Sequence, residues 1–171
     1  MNILLVIDMQ NDFIDGALGT KEALSIVDDV VNKVKDFEGK VLFTRDTHEE
    51  DYMNTIEGKN LPVPHCIKDS KGWEICDKLK PFVKESPFNK PTFGSVELEK
   101  YLVDFSKKEN IESIELVGLC TDICVISNAL LLKANFPNIP IIVESSLCAG
   151  VTKERHEKAL DAMKMCHITI V

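Results

Sequence analysis

What most constrains the fold of this chain is an alternation. Short, continuously apolar runs rich in β-branched residues take turns with longer stretches whose apolar residues recur at helical spacing. The runs lie at 2–7, 40–44, 114–117, 139–143 and 168–171. Being apolar at successive positions, they need cover on both faces, which is the pattern of central parallel strands. Between them Ala23, Ile26, Val27, Val30, Val31 and Val34 follow a helical period, as do Leu98, Leu102 and Phe105. Further helices are expected over 123–134 and, behind the cap-like Thr152, over 153–165. Strands joined by helices imply right-handed crossovers. The expected fold is therefore α/β: a doubly wound, mainly parallel six-stranded sheet with helices on both faces, a Rossmann-like three-layer domain spanning residues 1–171. The sixth strand is placed around 82–86. The long polar connection from Arg45 to about Trp73 is read as a functional loop.

In such a sheet ligands bind above the carboxyl ends of the strands. The first strand leads there to Asp8-Met9-Gln10-Asn11-Asp12-Phe13, with no glycine-rich dinucleotide fingerprint, which argues against a Rossmann cofactor enzyme. A net charge of −8 argues against nucleic acid, whose phosphates call for a basic face. No apolar run is long enough to span a membrane and the N-terminus lacks a basic leader, so the expected setting is cytoplasmic. The six cysteines, scattered through a chain large enough to fold without crosslinks, are expected to remain thiols.

Three groups of residues carry candidate chemistry. Cys124 follows the strand-to-turn segment Gly118-Leu119-Cys120-Thr121-Asp122-Ile123. At a helix start, free N–H groups and the helix dipole favour a thiolate and can hold an oxyanion. The alternative is a small buried core residue. Asp8, at the end of the first strand, is either a general base or a turn cap. Lys90 is either a charge partner to both or a solvated loop residue, with Lys84 as its competitor. Asp46 and His48 form an Asp-x-His pair at the end of the second strand, followed by Glu57 and His65. Mixed imidazole and carboxylate ligands suit zinc, iron or manganese; otherwise the four are ordinary loop residues.

Taken together, the Asp8–Phe13 opening, the Lys90 loop and the Gly118–Val125 segment resemble, in order, the three blocks of the isochorismatase-like cysteine hydrolases, and most of all the nicotinamidases among them. The resemblance spans almost the whole chain. It implies a metal-containing amidase that hydrolyses nicotinamide to nicotinate and ammonia through a thioester. Asp8 would be the general acid/base, Lys90 the charged partner and Cys124 the nucleophile. A cis peptide would join Leu119 and Cys120, with backbone N–H groups near Cys120 and Cys124 as the oxyanion hole. Asp46, His48, Glu57 and His65 would hold one divalent metal ion, zinc foremost, with iron or manganese as alternatives. Phe13 and Phe93 would pack on the substrate ring. Two positions depart from the pattern: Pro62 stands where an aromatic is frequent, and Phe93 where tyrosine is common. The partners implied are a small-molecule amide and, in a homo-oligomer, further copies of the chain, with no nucleic acid or membrane. The alternatives are another carboxamide or carbamoyl hydrolase, a non-catalytic metal- or partner-binding relative, or a thiol redox protein using Cys120 and Cys124.

Overall fold

The computed structural model describes all 171 residues. The chain runs through β1 (Asn2–Ile7), α1 (Asn11–Ile14), α2 (Lys21–Ser25), α3 (Val27–Asp36), β2 (Lys40–Asp46), α4 (Ile56–Asn60), β3 (Phe88–Lys90), α5 (Val96–Ser106), β4 (Ser113–Leu119), α6 (Ile126–Asn135), β5 (Ile141–Ala149), α7 (Lys153–Met165) and β6 (Thr169–Ile170). All five strand pairings are parallel, in the order β3-β2-β1-β4-β5-β6. The direction of winding reverses between β1 and β4. A crevice opens above their carboxyl ends, which is where such sheets place ligands.

β1 shows why an apolar run makes a central strand. Ile3, Leu5 and Ile7 face one core, shared with Leu98 and Leu102 of α5, Leu132 of α6, and Leu160 and Met163 of α7. Leu4 and Val6 point the other way, into a core built with Ala23 of α2 and Val27, Val30 and Val34 of α3. All five β1 side chains are fully buried. At about 1.5–3 kcal/mol for each large aliphatic side chain, this strand anchors both layers.

Three boundaries differ from the sequence expectation. The helix expected across 23–34 is two helices, α2 and α3; the Ser25 hydroxyl donates to the Glu22 carbonyl at 2.8 Å, a local bond that competes with helix continuation. The sixth strand is not at 82–86. Pro81 and Pro87 bracket that stretch, a 3₁₀ turn occupies Lys80–Phe82, and the strand forms at Phe88–Lys90, where Thr44 pairs with Phe88 and Asp46 with Lys90. The helix expected from residue 123 begins at Ile126, preceded by a turn of π-helix over Thr121–Val125.

Gly118 determines how β4 enters that turn. Its φ is +116°, and a Cβ there would lie 2.2 Å from the Ile7 carbonyl oxygen, so only glycine lets the two central strands approach this closely. The Leu119–Cys120 peptide that follows is cis. No helix of the chain is long and apolar enough to cross a membrane.

Candidate active site

Three of the predicted residues meet above the sheet. Asp8 follows β1 with a left-handed φ of +46°, a conformation that Asp tolerates better than most residues. Lys90 ends β3, and Cys124 sits in the turn after β4. The Lys90 ammonium lies 2.6 Å from Asp8 Oδ2 and 3.3 Å from Cys124 Sγ. It also donates to the Thr92 carbonyl at 3.2 Å. Thr44 fixes the other Asp8 oxygen by donating its hydroxyl to Oδ1 at 2.6 Å. Lys90 is thus no solvated loop residue: it is 1% exposed, because the position of β3 carries it under the Cys124 turn. Lys84 is exposed and lines a different depression with Met1 and Lys40, at the opposite end of the sheet.

Burial sets the charges of this trio. Desolvation pushes the Cys124 thiol well above its ordinary range, and the Asp8 charge adds to the rise while Lys90 opposes it. Burial thus works against the thiolate that a helix start suggests, because loss of water outweighs the nearby cation. Desolvation also raises Asp8, against the pull of Lys90. For Lys90 itself burial disfavours the ammonium, but Asp8, Cys124 and Asp46 outweigh it and hold the group firmly protonated. One cation thus offsets the two buried carboxylates beside it, Asp8 and Asp46.

The second cluster is at the end of β2 and in the loop beyond. Ligand atoms of Asp46, His48, Glu57 and His65 all lie within 4.8 Å of one another. Asp46 Oδ2 is 3.0 Å from His48 Nε2 and 3.5 Å from His65 Nε2. Glu57 Oε1 is 3.6 Å and 3.8 Å from the same two nitrogens. His65 hydrogen-bonds through Nδ1 to the Val63 carbonyl at 2.8 Å, which turns its Nε2 toward the carboxylates, as ligating histidines are commonly fixed. Burial alone would raise Asp46; its bonds to His48 and His65, with the charge of Lys90, hold it well below the ordinary carboxylate range. Two imidazoles and two carboxylates in one compact group fit a divalent cation, and the donor set matches zinc, iron or manganese chemistry.

Both clusters open on one cavity of about 330 Å³. Asp46, Glu57 and His65 form part of its wall, together with Cys120 and Cys124; Phe13 and Phe93 supply the aromatic surface. Phe13 also packs against the His65 ring at 5.6 Å, and Phe93 stands 44% exposed. Burial pushes the Cys120 thiol up to about 12, so it has little thiolate character beside Cys124.

Several positioning residues have no signature in the sequence. Gln10, fully buried, donates to the carbonyls of Asp46 and Trp73 and accepts from Asp46 N–H, tying the segment after β1 to the end of β2. Asp12 accepts from Cys66 N–H at 2.7 Å, next to His65. Asn128 on α6 donates to the Cys124 and Phe93 carbonyls and accepts from Ser95 N–H, clamping the Phe93 loop to the cysteine turn. The Tyr52 ring lies 4.7 Å from that of His48 and 5.1 Å from that of His65. An aromatic wall thus reaches the histidines from a 3₁₀ turn over Tyr52–Asn54 rather than from position 62. Long-range side-chain to backbone bonds leave no spacing pattern to read.

Comparison with known proteins accords with this geometry. A family model of the isochorismatase domain matches residues 2–171. The Bacillus subtilis protein PncA, described as an uncharacterized isochorismatase family protein, is 30% identical over 170 residues, covering 92% of this chain and 91% of its own. The nicotinamidase/pyrazinamidase of Mycobacterium tuberculosis is 24% identical over 186 residues, covering 100% and 98%. Among solved structures, the pyrazinamidase of Pyrococcus horikoshii in complex with zinc has a TM-score of 0.79 at 26% identity, covering 99% of this chain and 98% of its own. The pyrazinamidase/nicotinamidase of Streptococcus mutans has 0.82 at 28%, covering 100% of both. With the family match running from the second residue to the last, this chain belongs to the isochorismatase family.

Proposed function

We propose that the protein is a metal-containing cysteine amidase that hydrolyses nicotinamide to nicotinate and ammonia. The observation that carries this reading is that Cys124, which contacts Lys90 and through it Asp8, lines one cavity with Asp46, Glu57 and His65. Relatives with known names act on this carboxamide, and the cavity is of a size for a single small ring.

The chain's own residues compose the mechanism. As the Cys124 sulfur attacks the carboxamide carbon, its proton passes to Asp8, so the nucleophile loses its hydrogen only when charge develops on the substrate oxygen. Backbone N–H groups of the Cys120–Cys124 turn receive that oxygen. Asp8 then gives the proton to the departing nitrogen, ammonia leaves, and a thioester remains on Cys124. Asp8, again a carboxylate, takes a proton from water, which attacks the thioester carbonyl, releasing nicotinate and restoring the thiol. Lys90 stays protonated throughout and holds Asp8 in place. Phe13 and Phe93 confine the ring. A metal held by Asp46, His48, Glu57 and His65, zinc foremost, supplies a Lewis-acid site for the ring nitrogen when bound.

The test is ammonia release from a panel of amides by the metal-loaded protein. Nicotinamide should be turned over in preference to aliphatic amides and carbamoyl compounds. Turnover of the latter with none of nicotinamide would replace this reading with that of another hydrolase of the family.

A further inference from the structure

Arg155 lines the same cavity as Cys124 and has no part in the steps above. It stands in the first turn of α7, after β5, whereas Asp46 ends β2 and Glu57 and His65 follow it; the ends of β1 and β4, bearing Asp8 and Cys124, lie between. Polar groups therefore enter the cavity from both flanks of the Asp8–Cys124 pair, and the rest of the wall is mainly apolar, Leu18, Leu61, Ile123 and Val151 beside the two phenylalanines, with Thr20 and Asn60 the polar exceptions.

The guanidinium is unclaimed. Backbone N–H of Arg155 donates to Thr152 Oγ1 at 3.2 Å, but its side chain has no ion-pair or hydrogen-bond partner in the protein. The neighbouring acids are engaged elsewhere: Glu154 pairs with Lys158 at 2.6 Å, and Asp122 accepts from Val151 N–H at 3.0 Å. Arg155 is thus an exposed, unpaired cation lining the cavity of a chain whose net charge is −8. Its planar fork suits a carboxylate, which would be repelled at the other flank by Asp46 and Glu57.

We infer that Arg155 is a specificity-determining residue: it receives an anionic substituent, a carboxylate foremost, carried by the amide on the side away from Asp46 and Glu57. This rests on the amidase reading of the Cys124 site and extends its substrate class to amides bearing a second, acidic group.

The experiment compares nicotinamide with its 5- and 6-carboxylate derivatives, using metal-loaded wild type, Arg155→Ala, Arg155→Lys and Arg155→Glu. In Arg155→Ala, kcat/KM for at least one carboxylate-bearing amide should fall about tenfold further than for nicotinamide, mainly through KM. Arg155→Lys should recover part of that loss, Arg155→Glu should deepen it, and added salt should shrink the difference. Calorimetric binding of pyridine-3,5-dicarboxylate and pyridine-2,5-dicarboxylate against nicotinate supplies a readout independent of turnover. If wild type releases ammonia from none of the amides, the amidase reading fails while the dicarboxylates still judge Arg155. Equal losses for charged and neutral ligands, or no loss for the charged ones, overturn the inference.

Discussion

Cys124 illustrates how much a single residue's role depends on its surroundings. Burial pushes its thiol well above the ordinary range, and in the proposed mechanism its reactivity rests on Asp8 taking the proton as the bond to carbon forms. Cys124→Ala should lower ammonia release from nicotinamide by at least about 10³-fold with the fold intact by circular dichroism; near-normal turnover would remove Cys124 from the mechanism. Lys90 is held differently, as a fully buried cation beside Asp8 and Asp46. Lys90→Met should cost about 3–5 kcal/mol in urea unfolding, because it leaves the Asp8 charge uncompensated. Adding Asp8→Asn should recover part of that stability but none of the activity. A Lys90→Met variant as stable as wild type would mean that the ion pair is dispensable to folding.

At the scale of elements, the close contact of β1 and β4 delivers the chemistry. Gly118 has its α-carbon against the Ile7 carbonyl, and Asp8 is the next residue along β1. Gly118→Ala should destabilise by about 3 kcal/mol or more, since it adds both a forbidden φ and a backbone clash. A midpoint of unfolding within about 0.5 kcal/mol of wild type would contradict the need for glycine there. Asn128 joins α6 to the loop before α5. Asn128→Ala leaves Ser95 N–H unpaired, which should cost about 1–3 kcal/mol and raise KM for nicotinamide by loosening the Phe93 wall. An unchanged KM would show that the clamp is purely structural. The elements themselves were legible wherever the period was long: β1, α5 and α7 lie where their patterns put them. The three-residue strand β3 was not, since a segment that short has no period and is defined only by pairing with Thr44, Arg45 and Asp46.

For the molecule as a whole, the candidate metal-binding group is the feature that only the assembled structure creates. Asp46 and His48 come from the end of β2, Glu57 from α4 and His65 from the connection beyond, and they converge because Gln10 and Asp12 pin that connection to β1 and α1. Chelation followed by dialysis should abolish turnover of nicotinamide, and added zinc should restore it. Metal present at about 100 times its dissociation constant should stabilise the fold by about 2.7 kcal/mol, visible as a rise in Tm. Full activity in protein shown metal-free by elemental analysis would exclude a role in turnover.

The sequence by itself determined the alternation of strands and helices, and with it the edge of the sheet at which Asp8, Asp46 and Cys124 had to emerge. Those features are local: backbone periodicity and the ends of apolar runs depend only on near neighbours in the chain. The tertiary structure decided which of those residues meet and in what state. It seated Lys90 against a sulfur 34 positions away, took that sulfur out of water, closed four donors into one group and brought Arg155 to the wall of the cavity. Desolvation and charge pairing depend on what the crossovers bring opposite each residue, and no spacing along the chain records that.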